Sequence, residues 1–504
     1  MDMNNNLTPI LVGAGQFTKK DVDPRKAMDP IDLMTEAAYR AADDAGIHRN
    51  TFSNLDMIVT VKSFCMLDNA YPTEILAARL GANRATLYHT THSGSTPQWL
   101  VNQTAEQIIH GKTRFALFTG SEAMDTLRAA AKAGIDLKWN IPSVHHHDIL
   151  GDQRPGNTQI EADHGLYLPV NIYPLFENAL RKHYGHSMAE HQQKLGQLFS
   201  PFTKVAEKNP YAWFQTYRSP EEISTSSPAN RYVGFPYTKY MNAMVSVNQA
   251  AAVIMTSVDA ARKMGIHESK WVYLQGCADA TDHWWVSERV NYHSSPAIKK
   301  IGEKALSMAG LSINHVDFLD LYSCFPCVVE ITRDMLGIDD NDPRPLTVTG
   351  GLPYFGGPGN NYVMHAIAEM VNKLRGNPGK IGLVTGNGYY ITKHSIGIYS
   401  TQPRRILWER ENPVTYQRDL DTQPHPEIAP SPSGSSTIET YTVLYGRDGD
   451  PHTGIVIGRL PDGRRFISNT PKDRTLLEQM KMSDVVGASG MVKQIGELNI
   501  FSPD

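Results

Sequence analysis

Cysteine is scarce in this sequence: four in 504 residues, with none between Cys65 and Cys277. So few cannot form a disulfide framework, and a reducing compartment, the cytoplasm, is the expectation. No apolar run is long enough to cross a bilayer as a helix, so no membrane partner is expected. Neither sign of charge predominates: 48 basic residues face 52 acidic ones, a net of −4. With no basic stripe or acidic tail, nucleic acid is not an expected partner. The opening residues 1–8 are polar and predict no secretory leader. The closing Phe501-Ser502-Pro503-Asp504 is not a peroxisomal address. What remains is an ordinary globular composition, 41% hydrophobic and 20% charged, in a chain long enough for several cores.

Strands and helices alternate. A short strand at 10–12 precedes a helix at 29–45, with Pro30 just inside its start and Gly46 just past its end. Strands at 55–61 and 85–90, a helix at 97–109 and a strand at 114–119 follow. The alternation predicts parallel pairing in a layered α/β fold. The same grammar returns as strand 270–275, helix 296–309, strand 316–322, helices 326–336 and 361–374, and strand 381–385. Ala45-Gly46 ahead of Leu55-Asp56 matches Ala309-Gly310 ahead of Val316-Asp317. Ala105-Glu106 leading to Phe118-Thr119-Gly120 matches Ala368-Glu369 leading to Val384-Thr385-Gly386. The chain therefore reads as duplicated.

Between the copies, about 122–237 is rich in His, Pro, Gln and Tyr, with helical pieces at 170–184 and 187–199. It is too long for a loop and reads as an inserted domain. Residues 411–436 carry five prolines and read as a linker or irregular cover. Short β-rich runs at 437–445, 453–459 and 465–467, with the turn Pro461-Asp462-Gly463, predict a small barrel. The expected division is an N-terminal half at 1–269, a C-terminal half at 270–403, a linker at 404–436 and the barrel at 437–504.

Several chemistries fail on spacing. Gly13-Ala14-Gly15 lacks the third glycine of a dinucleotide fingerprint, and no helix opens there. Cys324 and Cys327 have no second pair to complete a metal site, and a helix cap and a buried thiol suit them better. His145-His146-His147 reads as polar loop, so no metal is expected. The glycine-rich turns are more telling. Thr91-His92-Ser93-Gly94-Ser95-Thr96 joins a strand to a helix, and its free amides suit a thioester oxygen or an oxyanion. Gly386-Asn387-Gly388, Tyr322-Ser323-Cys324-Phe325 and the loop from Gly350 to Asn361 also end strands or open helices. Such loops converge at the C-terminal ends of parallel strands.

These residues, in this order, resemble the thiolase superfamily. Val12-Gly13-Ala14-Gly15-Gln16 and the helix from Asp32-Leu33 to Gly46 resemble the thiolase start. Asn242-Ala243, with Ala250 to Met255 after it, resembles the return from the thiolase loop domain. Tyr322-Ser323-Cys324-Phe325 stands where thiolases carry Asn-Glu-Ala-Phe, or His-Asp-Cys-Phe in the sterol-carrier type. Gly356-Gly357-Pro358 stands where they carry Gly-His-Pro. The resemblance covers about 8–402, and the rest is similar to the additional OB-like domain of thiolase-like proteins type 1. It implies two βαβαβαββ halves with a loop domain in the first, lipid metabolism, a monomer or homodimer, and a CoA thioester as substrate or ligand with no tightly bound cofactor.

The departures bear on the chemistry. The nucleophilic cysteine of a thiolase falls at Gly94, within two residues, and its histidine at Gly357. The second cysteine is replaced near Val384, Thr385 and Gly386. A cysteine thiolate is strongly nucleophilic at neutral pH, and nothing of that kind stands here. Ordinary thiolysis and a cysteine acyl-enzyme are therefore not expected. Ser93 or Ser95 would need a base, for which His92 and His394 are candidates. The resemblance leaves Gly94, Gly357, Asn387 and Gly388 for the thioester oxygen, and Tyr322, Tyr389 and Tyr390 as weak acids. It leaves Arg231, Tyr237 and Lys239 for the CoA phosphates. Three functions stay open: acyl transfer or carbon–carbon chemistry on an acyl-CoA without a cysteine adduct, a retro-aldolase being one form; a non-catalytic CoA-ester binder or scaffold; and an acyltransferase using a displaced Cys324.

Overall fold

The structure, a computed structural model, describes residues 6–20, 23–66, 72–139, 148–404 and 407–504. His145, His146 and His147 lie outside them. The N-terminal half runs β1 (Pro9–Thr18), α1 (Pro30–Ala45), β2 (Met57–Thr60), α2 (Pro72–Leu80), β3 (Thr86–Thr90), α3 (Thr96–Ile109), β4 (Phe115–Ala123) and α4 (Met124–Ala133). The insert holds β5 (Asp148–Leu150), α5 (Gln159–Asp163), α6 (Pro169–His183), α7 (Met188–Lys208), α8 (Pro220–Ser224), β6 (Tyr232–Gly234) and β7 (Tyr237–Thr238). The chain then returns through β8 (Asn248–Ser257) and α9 (Val258–Lys263). The C-terminal half is β9 (Val272–Thr281), α10 (Pro296–Ala309), β10 (Phe318–Asp320), α11 (Pro326–Leu336), α12 (Tyr362–Arg375), β11 (Ile381–Gly388) and β12 (Lys393–Ser400). Last come α13 (Pro413–Asp421), β13 (Gly434–Tyr445), β14 (Pro451–Arg459), β15 (Arg465–Asn469), α14 (Arg474–Met482), β16 (Ser489–Ile495) and β17 (Leu498–Pro503).

The duplication is visible in the sheet. Its ten strands are ordered β10-β11-β12-β9-β1-β8-β4-β2-β3-β5. Read outward from the join of β1 and β9, the halves run β1-β8-β4-β2 and β9-β12-β11-β10, and the first half adds β3 and β5 at its edge. The matching parallel pair is β2 with β4 in one half and β10 with β11 in the other, and β3 and β5 extend the first in parallel. The second half lacks a strand matching β3; residues 337–361 run there as a loop rich in glycine.

Small details repeat as well. A Cβ on Gly13 would stand 2.3 Å from the Ala41 carbonyl oxygen of α1, and one on Gly276 would stand 2.2 Å from that of Ala305 on α10. Only bare backbone lets strand and helix approach so closely. The glycines of Gly13-Ala14-Gly15 thus serve packing. The Asp56 carboxylate accepts the Arg114 and Phe115 amides at 2.8 and 3.1 Å, and Asp317 accepts that of Ile381 at 2.9 Å. α3 and α12 lie buried side by side behind the sheet, while α1 and α2 cover its other face.

The C-terminal strands close into a five-stranded barrel, β13-β14-β15-β17-β16, because β13 pairs with both β14 and β16. It packs on the insert: Asn178 of α6 donates to the Tyr441 carbonyl at 2.8 Å. Among the described residues no helix is long and apolar enough to cross a membrane.

Two sequence expectations need correction. The segment read as linker contains α13. Pro413 stands in the first turn of that helix, where proline is tolerated. Tyr416 and Leu420 bury its inner face, and the Tyr416 hydroxyl donates to the Asp279 carbonyl at 2.9 Å. α7 continues past Pro201 to Lys208, because Phe199, Phe202, Thr203 and Ala206 are all buried against the core. β12, β16, β17 and the helices α2, α4 and α14 have no counterpart among the elements read from sequence.

Candidate active site

The turn between β3 and α3 is the centre of the site. Ser93 and Ser95 hydrogen-bond through their hydroxyls at 2.8 Å, and Ser95 is the N-cap residue of α3. Helix starts leave backbone amides unpaired and carry positive potential. Between the serines, Gly94 has no room for a side chain. A Cβ there would stand 2.4 Å from the Asn387 carbonyl oxygen and 2.5 Å from the Tyr322 hydroxyl. Gly388 is equally constrained, since its Cβ would fall 1.9 Å from Ser93 Oγ. The fold thus brings Ser93, Gly94, Ser95, Tyr322, Asn387 and Gly388 together, as expected from their loops.

Behind the elbow is a buried polar cluster. Asn387 donates through Nδ2 to the Tyr173 hydroxyl at 2.9 Å, and Tyr173 donates to the Tyr389 carbonyl at 2.6 Å. Asn387 Oδ1 is buried without a hydrogen-bond partner. Cys324 joins this cluster beside Tyr173 and Asn387, but burial pushes its thiol up to about 12. Burial likewise lifts the Tyr322 phenol well above its ordinary value, so it stays protonated and acts as a donor.

In front of the elbow opens a cleft of about 540 Å³. Its floor is Ser93, Ser95 and Trp99; its walls are the residues after β5, the start of β12 and one face of α13. His394 lines it, and its Nε2 lies 3.1 Å from Asp282 Oδ2. Burial pushes the Asp282 carboxyl up, but His394, Arg289 and Ser295 together hold it below its usual value. A second cavity of about 10 Å³, room for one water at most, has His394, Tyr322 and Asn387 in its lining.

The cations of the cleft are Arg154, Lys393 and Arg418. The Arg154 guanidinium lies 3.8 Å from the centroid of the Trp284 ring, and Lys393 Nζ lies 4.9 Å from that of Tyr389. Burial lowers the Lys393 ammonium to about 8. The turn leading into β12 is strained: Tyr389 and Ile391 have φ of 53° and 59° without being glycine. Arg289 holds it by donating to the carbonyls of Tyr390 and Ile391 and to Thr392 Oγ1.

Other candidates are placed elsewhere. Arg231, Tyr237 and Lys239 are not among the residues lining the cleft. Tyr237 is fully buried, donating to Glu177 Oε2 at 2.6 Å, and the Arg231 guanidinium donates to the Tyr232 carbonyl at 2.7 Å. The Tyr390 hydroxyl donates to the Tyr167 carbonyl at 2.8 Å and Tyr389's to that of Arg154 at 3.1 Å. Gly357 sits against Ala243, Met244 and Leu352 outside the cleft. His92 stacks on Phe64 and meets Asn360 at 3.1 Å. Lys393, Arg154, Trp99, Asp282 and Tyr173 were not singled out by sequence. The one local signal was Lys393, next to His394.

All four cysteines are buried and unpaired with one another, and burial makes each thiol a weaker acid than a free one. At neutral pH burial keeps the Cys324 thiol protonated. The native chain should therefore resist iodoacetamide, whereas the unfolded chain labels all four. Rapid labelling of native Cys324, read by peptide mapping, would restore it as a nucleophile.

Comparison with known proteins agrees with this architecture. Residues 415–497 match the family model described as the thiolase-like protein type 1 additional C-terminal domain. A solved monomeric SCP2-thiolase-like protein type 1 from Mycobacterium smegmatis is 37% identical, with 99% of each chain covered and a TM-score of 0.85. An Ltp2–ChsH2(DUF35) aldolase shares the fold at 18% identity and TM-score 0.59, over 79% of this chain and 98% of that one. Human sterol carrier protein 2 is 23% identical over 401 residues, 73% of this chain and 66% of that protein, just under two thirds of its length. On the full-length likeness at 37% identity, with its extra barrel, the chain belongs to the SCP2-thiolase-like proteins of type 1.

Proposed function

We propose that the cleft binds a CoA thioester and that the chain makes or breaks the carbon–carbon bond beside the thioester carbonyl through an enolate, without a cysteine adduct. The observation that carries this reading is the filled space at Gly94, where the Tyr322 hydroxyl and the Asn387 carbonyl leave no place for a nucleophile. The amides opening α3 suit the thioester oxygen, and their attraction grows as enolate charge develops. Tyr322 adds a proton donor beside the elbow. In the cleaving direction His394, held by Asp282, takes the proton of a β-hydroxyl group. The Cα–Cβ bond then breaks, its electron pair enters the enolate, and a proton returns to Cα, releasing a carbonyl compound and a shortened acyl-CoA. Ser93 and Ser95 hydrogen-bond each other, which does not favour a serine acyl-enzyme.

Calorimetry with CoA and acetyl-CoA tests the pocket, and absence of binding at millimolar ligand would sink the proposal. Lys393 adds a pH signature. It is charged below about 8 and neutral above, so affinity for the polyanionic ligand should fall as pH rises from 7 to 9. Lys393→Met should bind more weakly and lose that step. With a panel of β-hydroxyacyl-CoAs, His394→Gln should lower kcat about 10²–10⁴-fold. Binding without turnover by the unaltered chain would leave a CoA-ester binder.

A further inference from the structure

Away from the cleft, three helices place acidic and imidazole groups in one buried spot. Glu177 lies on α6, one turn beyond Tyr173; His191 lies near the start of α7; Glu330 lies on α11. None is more than 6% exposed. One potential donor atom from each lies within 4.8 Å of the others, and His191 Nε2 is 2.6 Å from Glu177 Oε1. Tyr237 adds an oxygen 2.6 Å from Glu177 Oε2. Glu330 Oε2 is buried with no hydrogen-bond partner.

From this geometry we infer that Glu177, His191 and Glu330 form a binding site for a divalent transition-metal ion, with the Tyr237 hydroxyl as a neighbouring oxygen. Two carboxylates and a neutral imidazole sum to two negative charges, which a divalent ion balances. Without it, two carboxylates stand buried against each other with no cation between them, and one carboxylate oxygen has no partner. The bordering guanidiniums are engaged elsewhere, Arg181 with Asp484 and Arg333 with Asp340. His186 Nδ1 lies 3.2 Å from His191 Nδ1, the outer-shell support that fixes a ligating ring with Nε2 toward the ion. Ligation needs both carboxyls ionised and the His191 ring proton on Nδ1. Mixed nitrogen and oxygen donors suit zinc, with cobalt(II) as a visible probe. The ion is structural: it ties α6, which carries Tyr173, to α11, which follows Cys324.

The test uses the full chain, stripped with a chelator and titrated with Zn²⁺ or Co²⁺. The expected results are one equivalent taken up at micromolar metal, cobalt absorption bands and a higher Tm. Glu330→Gln, which keeps shape and hydrogen-bonding capacity, and His191→Gln should each lose uptake. A stripped wild-type chain that takes up neither ion, or a Glu330→Gln chain that takes up metal as wild type does, overturns the site whatever the variants do to folding.

Discussion

Gly94→Cys should not create a thiolase; it should lower Tm and leave the chain without thiolysis. The new Cβ would meet the Asn387 carbonyl oxygen at 2.4 Å and the Tyr322 hydroxyl at 2.5 Å. The first belongs to the backbone of β11, hydrogen-bonded along its length to β12. The second is set by a ring packed edge-on against Tyr362, 5.6 Å between centroids. Neither yields cheaply, and overpacking of this kind costs about 1–3 kcal/mol or more. Gly357→Ala is the control. Its Cβ would approach nothing closer than 3.4 Å and its backbone is not left-handed, so Tm should hardly move. Equal melting of both variants would mean that the elbow is looser than described, and acquired thiolysis by Gly94→Cys would mean that a nucleophile can be seated there.

Asp282→Ala should be the most damaging single change near the cleft. The carboxylate receives the Ser295 hydroxyl at 2.5 Å and the Ala297 amide at 3.1 Å, and it faces His394 at 3.1 Å and Arg289 at 3.6 Å. Removing it strands a buried guanidinium, a change that costs about 3–5 kcal/mol. Arg289 keeps its carbonyl partners, which places the loss at about 3 kcal/mol, the lower end of that range. Those carbonyls belong to the strained turn of Tyr389 and Ile391, so the cleft wall should loosen with it. Asp282→Asn adds a pH test. The folded carboxyl lies below its usual value, so its stabilisation is complete above the unfolded value of about 3.9 and is lost as pH falls through the lower folded one. The stability gap between wild type and Asp282→Asn should therefore be constant near neutrality and shrink in acid. A constant gap down to strongly acid pH would show that the charge is not what Asp282 contributes.

The duplication was legible because it is written in local chemistry. Helix stops at Gly46 and Gly310, and carboxylates at Asp56 and Asp317, do the same job twice. The elbow was legible because the turn from Thr91 to Thr96 joins a strand to a helix where the resemblance places a cysteine, and the absent sulfur is itself the signal. What was not legible depends on tertiary context. Pro413 breaks a chain in one setting and opens α13 in another, and only burial of Tyr416 and Leu420 decides between them. β12 follows a turn whose left-handed residues, Tyr389 and Ile391, are not turn formers; Arg289, distant in sequence, holds them. The cations of the cleft, Arg154, Lys393 and Arg418, come from three segments with no sequence signal in common. Arg231 and Lys239 were adjacent to a recognisable stretch but not to the cleft.

The central claim is that the elbow at Gly94 presents amides to a thioester and no nucleophile. Intact-mass spectrometry of the chain after incubation with acetyl-CoA and acid quenching tests it most directly. The account predicts the unmodified mass. A stable gain of one acetyl group, mapped to Ser93, Ser95 or Cys324, would contradict it.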